Sequence, residues 1–286
     1  MQNYDRIKVL GAGAFGQAVL VRERGGERRH RVIKEVSVRP DKLAEAQHEA
    51  KVMGEVSHSN IVQYVDSFVE DRKFYIVMEY ADGGDLQQAV ERRRKARRAY
   101  DEREAMAVFV QCVLALRHVH ARRILHRDIK CQNIFLTSAG VVKLGDFGVS
   151  KVLDGTAMLA QTTIGTPYYL SPEIFEDKPY GHKSDMWALG VVLYEVLTLR
   201  LPFEAKHMPG LMRKVLASEP AAPPSSYSRE VRALASGKSL LAKQPAARPS
   251  AERLVRLPFT QAHIKRLLSH TIASGKGGLE HEASGG

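Results

Sequence analysis

The sequence has few cysteines and no long apolar run, and each absence excludes a class of protein. Only Cys112 and Cys131 occur in 286 residues, so neither a disulfide framework nor a cysteine-rich zinc site is supported. No stretch approaches the roughly 18 unbroken apolar residues of a membrane-spanning helix, and the N terminus lacks the apolar core of a secretory signal. We therefore expect a soluble protein in a reducing, intracellular compartment, with no membrane partner.

Acidic residues are also in the minority. Lys plus Arg total 43 and Asp plus Glu total 32, which gives a formal net charge of +11. The basic excess is concentrated in residues 22–31 and 92–98. These runs are either solvated surface or docking faces for acidic protein segments, and a nucleic-acid or cytoskeletal binding module is a further alternative. Neither run interleaves aromatic residues as a nucleic-acid platform would, so we expect no nucleic-acid partner.

Hydrophobic patterning divides the chain into two parts. From Tyr4 to Met78, short apolar strands are separated by glycines and charged turns, with one helix predicted over 41–56. Beyond Met78 the spacing of apolar residues is mainly helical, and the predicted helices cover 85–98, 102–121, 183–197 and 208–217.

The patterning therefore predicts an α+β fold of two lobes, a small N-terminal β-sheet lobe with one helix and a larger, mainly helical C-terminal lobe. The predicted parts are the N-lobe (4–78), a hinge rich in Asp and Gly (79–84), the C-lobe (85–268) and a disordered tail rich in Gly, Ser and Glu (274–286).

A glycine-rich turn lies near the N terminus, between two apolar stretches. Residues 11–16 read Gly-Ala-Gly-Ala-Phe-Gly, and such small residues allow backbone amides to approach phosphate oxygens closely. A dinucleotide-binding fold would need a helix after the glycines, whereas a β-type stretch follows here. The turn therefore favours a cover over nucleotide phosphates.

A lysine and a glutamate follow this turn. Lys34 lies on the apolar run 32–38, and Glu49 lies within the helix predicted over 41–56. An ammonium group that binds the α- and β-phosphates of a nucleotide needs a carboxylate from a neighbouring helix to hold it. We predict that Glu49 holds Lys34 in this way, although an exposed surface contact is the alternative.

The decisive segment is 126–133, which reads His-Arg-Asp-Ile-Lys-Cys-Gln-Asn and is followed by Asp-Phe-Gly at 146–148. In a phosphoryl-transfer site of this pattern, Asp128 accepts the proton of the attacking hydroxyl, and Asn133 and Asp146 hold magnesium. The metal offsets charge on the transferred phosphoryl group. The pattern therefore predicts that ATP and Mg²⁺ are used.

In this order, the motifs resemble the eukaryotic protein kinase superfamily over about residues 4–268. Lys130 and the segment Gly165-Thr-Pro-Tyr-Tyr-Leu-Ser-Pro-Glu173 resemble serine/threonine kinases, since tyrosine kinases usually differ at both places. The segments that are similar to the NIMA-related kinases are 32–35, 125–130, 133–136 and 165–173.

The resemblance implies a role for several further residues. Lys130 would steady the γ-phosphate, Asp185 would support the backbone of the catalytic loop, and Glu173 would pair with Arg248. Met78 would guard the back of the ATP pocket. The residues implied in nucleotide binding are Leu10, Gly11, Ala12, Gly13, Gly16, Ala18, Val32, Lys34, Met78, Glu79, Ala81, Asp85 and Phe135, with Asp82 as an alternative to Asp85 at the ribose.

Three positions depart from the usual kinase pattern. Ala18 stands where a valine usually covers the adenine, Val32 replaces the alanine two residues before the lysine, and Ser171 replaces the alanine of Ala-Pro-Glu. Each replacement is small or apolar, so the adenine pocket is altered in shape and not abolished. A catalytically silent pseudokinase scaffold is the main alternative, and the presence of all the catalytic residues speaks against it.

The resemblance also implies a mode of regulation, a class of partners and a subcellular location. Thr162, four residues before Thr166, is predicted to carry an activating phosphate that pairs with Arg127 and Lys151. Thr163 is the alternative acceptor. Substrates would be proteins with Ser or Thr acceptors, including cytoskeletal, centrosomal or basal-body proteins. The implied location is cytoplasmic, with cytoskeleton, centrosome, basal body, cilium and nucleus as further addresses.

Overall fold

Five strands of the N-terminal part pair into one antiparallel sheet in the order β1-β2-β3-β5-β4. Their bounds are β1 Tyr4–Gly13, β2 Gly16–Glu23, β3 His30–Ser37, β4 Tyr64–Glu70 and β5 Lys73–Glu79. This computed structural model describes residues 1–13, 16–25, 28–146 and 167–280, and the side chains of Glu49 and of 270–280 are outside that description.

One helix, α1 (Leu43–Gly54), packs against this sheet. The side of the sheet that carries Val36, Phe74 and Ile76 forms a hydrophobic cluster with Ala46 and Ala50 of α1. Because side chains alternate between the two faces of a strand, a second cluster forms on the opposite face. The sheet is therefore buried on both sides around its central strands.

The C-terminal part is mainly helical. Its helices are α2 Leu86–Lys95, α3 Glu102–Ala121, α4 Pro172–Phe175, α5 His182–Thr198, α6 Met208–Ala217, α7 Arg229–Leu234, α8 Ala251–Arg256 and α9 Pro258–Glu280. A two-stranded sheet, β6 Ile134–Leu136 with β7 Val142–Leu144, lies between α3 and α4 in the chain. The predicted two-lobed fold is confirmed.

The long helix α3 begins where its sequence provides a cap. Asp101 Oδ1 accepts a hydrogen bond from the Glu104 backbone N–H at 2.8 Å, and Glu104 Oε2 accepts one from the Asp101 N–H at 3.0 Å. This reciprocal pair satisfies two amides that the helix itself leaves unpaired. One face of α3 then packs into the C-lobe core beside α5, which is buried almost throughout its length.

The C-terminal segment differs from its prediction. The backbone of 274–280 continues helix α9, although 274–286 was predicted to be a disordered tail; residues 281–286 lie outside the described part. Starting a helix is costly, whereas lengthening an existing helix orders only one residue for each hydrogen bond gained. A glycine-rich stretch can therefore continue a helix that has already formed. In the described part of the chain, no helix combines the length and apolarity that spanning a membrane requires.

Candidate active site

Asp128 lies in a loop whose backbone is hydrogen-bonded to a buried carboxylate. Asp185, at the start of α5, is fully buried and accepts hydrogen bonds from the backbone N–H groups of His126 and Arg127, each at 3.0 Å. His120 Nε2 and the Tyr180 hydroxyl also bond to the Asp185 carboxylate, at 2.8 and 2.5 Å. These contacts fix the start of the catalytic loop to the helical core.

This anchoring maintains an unusual backbone. Arg127 has a φ of 67°, a left-handed conformation that costs a non-glycine residue about 1–3 kcal/mol and persists only when its surroundings determine it. The two amides bound by Asp185 provide that constraint. Burial raises the pKa of Asp185, but the hydrogen bond and charge of His120 outweigh it, so the pKa is lowered overall and the carboxylate stays ionised.

His126 supports the same loop from within the core. Its Nδ1 accepts a hydrogen bond from the Asp128 N–H at 3.2 Å, and its Nε2 lies 2.9 Å from the Gly145 carbonyl oxygen. Because Nδ1 is the acceptor, Nε2 must carry the proton that bonds to the carbonyl. Burial lowers the pKa of His126, which agrees with this neutral ring. The ring thus joins the catalytic loop to the residue preceding Asp146.

Two predicted site residues, Lys130 and Asn133, converge on Asp128. Lys130 Nζ lies 2.9 Å from Asp128 Oδ2, and the Asn133 Nδ2 group lies 2.8 Å from both the backbone oxygen and Oδ2 of Asp128. A turn of 3-10 helix, Cys131–Asn133, brings the Asn133 side chain back over the loop. The carboxylate is therefore held in one orientation by one cation and one amide.

Lys34 and Asp146 meet although 112 residues separate them. Lys34 Nζ lies 2.7 Å from Asp146 Oδ1. The predicted pairing of Lys34 with Glu49 stays a prediction, since the Glu49 side chain lies outside the described part of the structure. Also outside it are Phe147, Gly148, Lys151, Thr162, Thr163 and Thr166.

The donor atoms of Asn133 and Asp146 are of the kind that a magnesium ion binds. The amide nitrogen of Asn133 is used for bonds to Asp128, so its amide oxygen is the remaining side-chain donor. An amide oxygen and a carboxylate are hard ligands of the kind that Mg²⁺ takes, and Mg²⁺ commonly uses only one or two protein ligands beside phosphate oxygens and water. The two residues could therefore hold this ion together with a bound nucleotide.

The residues predicted to bind the nucleotide lie mainly on strands of the five-stranded sheet, with Phe135 on strand β6. Val32 pairs with Met78, and Ala18 pairs with Lys34, across neighbouring strands. Met78 and Ala81 are each 8% exposed. Gly83 and Gly84 hydrogen-bond to Leu136, which joins the hinge to β6, the strand that contains Phe135.

Two glycines, one in the hinge and one in the glycine-rich turn, lie against the backbone of a neighbouring segment. A Cβ added to Gly83 would lie 2.8 Å from the Leu136 carbonyl oxygen, closer than such contacts occur. Gly16, in the glycine-rich turn, has a φ of 138°, and its added Cβ would lie 1.7 Å from the Glu35 carbonyl oxygen. Glycine is therefore required at both positions by close backbone approach. Leu10, by contrast, is 43% exposed, on the outer strand of the lobe.

The acidic residues at the hinge have structural contacts of their own. Asp85 caps α2 by accepting from the Gln88 N–H at 2.8 Å and its side-chain amide at 2.6 Å. Asp82 accepts from the backbone and hydroxyl of Ser138 at 2.7 and 2.6 Å. The Glu79 N–H donates to the Gln63 carbonyl oxygen at 2.9 Å. Binding of ribose by either aspartate stays a prediction.

Sequence reasoning missed two groups that position this site. His120 and Tyr180 both hold Asp185, yet no local pattern marks either one. Tyr169 and Cys131 form a second such group, because both hydrogen-bond to the buried Oε2 atom of Glu195, at 2.6 and 3.3 Å. This second group links the catalytic loop to the segment that follows residue 166.

Comparison with known proteins agrees with this geometry. A family model described as "Protein kinase domain" matches residues 4–260. The chain is 47% identical over 274 residues to serine/threonine-protein kinase Nek1 of Mus musculus, covering 94% of this chain and 22% of that protein. It is 43% identical over 276 residues to serine/threonine-protein kinase Nek5 of Homo sapiens, covering 95% of this chain and 38% of that protein. The chain thus spans well under half of the length of these relatives.

Proposed function

This chain belongs to the protein kinase family and, within it, to the NIMA-related serine/threonine kinases, and from that premise we propose that it transfers the γ-phosphoryl group of ATP to serine and threonine hydroxyls of proteins. The observation that carries the proposal is the convergence of Lys130 and Asn133 on Asp128, beside the contact of Lys34 with Asp146. A silent scaffold would not require that all of these groups be kept in one place.

The first step of the proposed mechanism is the orientation of the acceptor. Asp128, held by Lys130 and Asn133, would accept a hydrogen bond from the substrate hydroxyl and take its proton as the bond to phosphorus forms. The anchored loop keeps the carboxylate in place, so little reorganisation is needed at the moment of reaction. Positioning of this kind supplies a large share of the rate in phosphoryl transfer.

Charge stabilisation is the second contribution. Lys34 would bind the α- and β-phosphate oxygens, and Lys130, 2.9 Å from Asp128, would bind the γ-phosphoryl oxygens in transit. Asn133 and Asp146 would hold Mg²⁺, which supplies positive charge to the bridging phosphate oxygens when bound. Lys34 would exchange part of its contact with Asp146 for the nucleotide, since both compete for one ammonium group.

The cellular role is proposed on the resemblance alone. We propose a cytoplasmic kinase whose substrates include cytoskeletal, centrosomal or basal-body proteins. Imaging of the tagged protein tests this address, and a signal confined to a membrane compartment would contradict it.

A randomised peptide library tests the proposed activity. We expect phosphate from labelled ATP to appear on serine and threonine and not on tyrosine, and only when Mg²⁺ is present. Phosphotyrosine as the main product would overturn the substrate class, and no incorporation above that of the Asp128→Asn variant would overturn the activity. The same library reports the flanking residues that the enzyme prefers.

A further inference from the structure

An open cleft of about 680 Å³ lies outside the catalytic loop, between Tyr168, the loop that follows α5, and the first turns of α6. We call it the basic cleft, and define it by its lining. Three of its lining residues are cations, namely Lys206, Arg213 and Lys214, and His207 accepts the Gly210 N–H at Nδ1, whereas Glu204 is the single acidic residue of the lining. Such an excess of one charge in a concave surface focuses the field and attracts anions.

The cations of this cleft are not neutralised by the parts of the protein that the structure describes. Lys206 and Arg213 are exposed, and no ion pair within the described ranges includes either of them or Lys214. Lys214 Nζ donates instead to the Glu204 backbone oxygen at 2.6 Å, which is a neutral acceptor. The charge of the cleft is therefore available to a ligand.

Basic residues with a structural role in this protein make ion pairs or hydrogen bonds to other elements of the fold. Arg93, in the basic run 92–98, binds Glu104 through two nitrogens at 2.9 and 2.6 Å and lies over the ring of Tyr100. Arg94 of the same run donates to the Leu199 carbonyl oxygen at 2.8 Å. These arginines tie elements together, whereas Lys206 and Arg213 make no such contact among the described residues.

The cleft is also connected to the catalytic loop. Tyr168, which lines it, precedes Tyr169, and the Tyr169 hydroxyl donates to Glu195 at 2.6 Å. Cys131, three residues after Asp128, donates to the same Glu195 oxygen at 3.3 Å. Only this short chain of contacts separates the wall of the cleft from the loop that carries Asp128. The wall of the cleft is therefore tied to the catalytic loop through the buried Glu195 carboxylate.

We propose that the basic cleft binds acidic side chains of the protein substrate in a segment that flanks the phosphoacceptor. Arg213 offers a planar fork that matches a carboxylate, and Lys206 and Lys214 add point charges. Leu201 and Ala205 supply apolar lining against which the aliphatic part of a glutamate packs. This inference rests on the proposed function, because it assigns substrate selection to the same site.

Two peptides that differ only in charge provide the test. Both carry one serine acceptor, and the flanking positions on both sides hold glutamate in one peptide and glutamine in the other. We expect a KM about 5- to 10-fold lower for the glutamate peptide at low salt, which is the effect of two exposed ion pairs, with kcat unchanged. The advantage should shrink as NaCl is raised, because salt screens exposed charges.

Two double variants that each remove two cations, one inside the basic cleft and one outside it, test whether the preference for glutamate arises in the cleft. Lys206→Ala/Arg213→Ala is expected to bring the two KM values within about 2-fold of each other, with turnover of the glutamine peptide unchanged. The control Arg229→Ala/Lys238→Ala removes two exposed cations away from the cleft and should retain the full preference. Equal KM values in the wild type, or a preference that survives in the cleft variant, would overturn the inference.

A binding measurement separates this inference from the proposed activity. Fluorescence anisotropy of the labelled glutamate peptide on the Asp128→Asn protein, with and without the two cleft substitutions, needs no turnover. Tighter binding of the glutamate peptide that disappears with the cleft substitutions supports the cleft even if no phosphorylation is seen. Phosphorylation of both peptides with equal KM refutes the cleft and leaves the kinase assignment intact.

Discussion

Replacement of Glu173 by glutamine should destabilise the C-lobe strongly, because it leaves a buried arginine without its counter-charge. Arg248, 1% exposed, binds both carboxylate oxygens of Glu173 at 2.7 Å. Its Nε donates to the Ala242 carbonyl oxygen, and the two terminal nitrogens that bind Glu173 also donate to the carbonyl oxygens of Lys183 and Lys243. The guanidinium also stacks 4.9 Å from the centre of the buried Trp187 ring. The cation therefore cannot move to water without breaking the surrounding core.

The magnitude follows from this burial. The side chains of Arg248 and Glu173 are 0% and 5% exposed, and removal of one partner of such a buried pair costs about 3–5 kcal/mol. For a domain of this size, each kcal/mol lowers Tm by roughly 2–4 °C, so Glu173→Gln should lower Tm by about 6–20 °C. An exposed pair gives the matched control: Asp5, 2.6 Å from Arg24 with side chains 43% and 57% exposed, should lose less than about 1 kcal/mol on Asp5→Asn.

Thermal unfolding followed by circular dichroism, with both variants measured beside the wild type, tests this prediction. A decrease in Tm for Glu173→Gln no larger than that for Asp5→Asn would refute the assignment of a stabilising buried pair. The pH dependence gives an independent check. Burial raises the pKa of Glu173, but bonds from Arg248 and Ser184 outweigh it and the pKa lies below 4.5. The contribution should therefore be complete above pH 4.5 and decrease as pH falls through the lowered pKa.

Three further predictions concern the nucleotide site and its regulation. Lys34→Met should lower the phosphorylation rate at saturating ATP by about 100-fold or more, because the phosphates lose their register, and steady-state kinetics measures it. Gly83→Ala should raise the KM for ATP and cost about 1–3 kcal/mol in urea unfolding, since the added Cβ would lie 2.8 Å from the Leu136 carbonyl oxygen; unchanged values would contradict this. Thr162→Ala should abolish the loss of activity that phosphatase causes in the wild type, whereas Thr163→Ala should retain that sensitivity.

Features that depend on neighbouring residues could be predicted from the sequence. Helix α3 was predicted over 102–121 and is observed as Glu102–Ala121, because its capping pair and its apolar spacing are both local. Helix α2 was predicted to reach residue 98 but ends at Lys95. The backbone leaves the helical conformation beyond this point, and Arg97 is left-handed, with a φ of 50°.

Features that depend on distant residues could not be predicted from sequence spacing. The two that were expected, the support of the catalytic loop by Asp185 and the pairing of Glu173 with Arg248, came from the family resemblance. The contact of Lys34 with Asp146 joins positions 112 residues apart, and His120 lies 65 residues before Asp185, the carboxylate that it holds. The basic cleft combines Tyr168 with residues of the loop and helix beyond position 200. Such groups form only when separate elements pack together, β3 with the residues that follow β7 in the first case and α3 with α5 in the second, and sequence spacing carries no signal of them. The catalytic loop was recognisable because 126–133 places its groups within eight consecutive positions.

The most direct test of the central claim compares nucleotide binding with phosphoryl transfer in wild type and Asp128→Asn. Calorimetry measures the affinity for a non-hydrolysable ATP analogue with Mg²⁺, and incorporation of labelled phosphate into a serine peptide measures transfer. Because the proposed contacts to the nucleotide come from other residues, the affinity should stay within about 3-fold, while transfer should fall by about 10²–10⁴-fold with loss of the proton acceptor. Transfer at the wild-type rate in Asp128→Asn would contradict the mechanism, and so would a wild-type protein that binds no nucleotide.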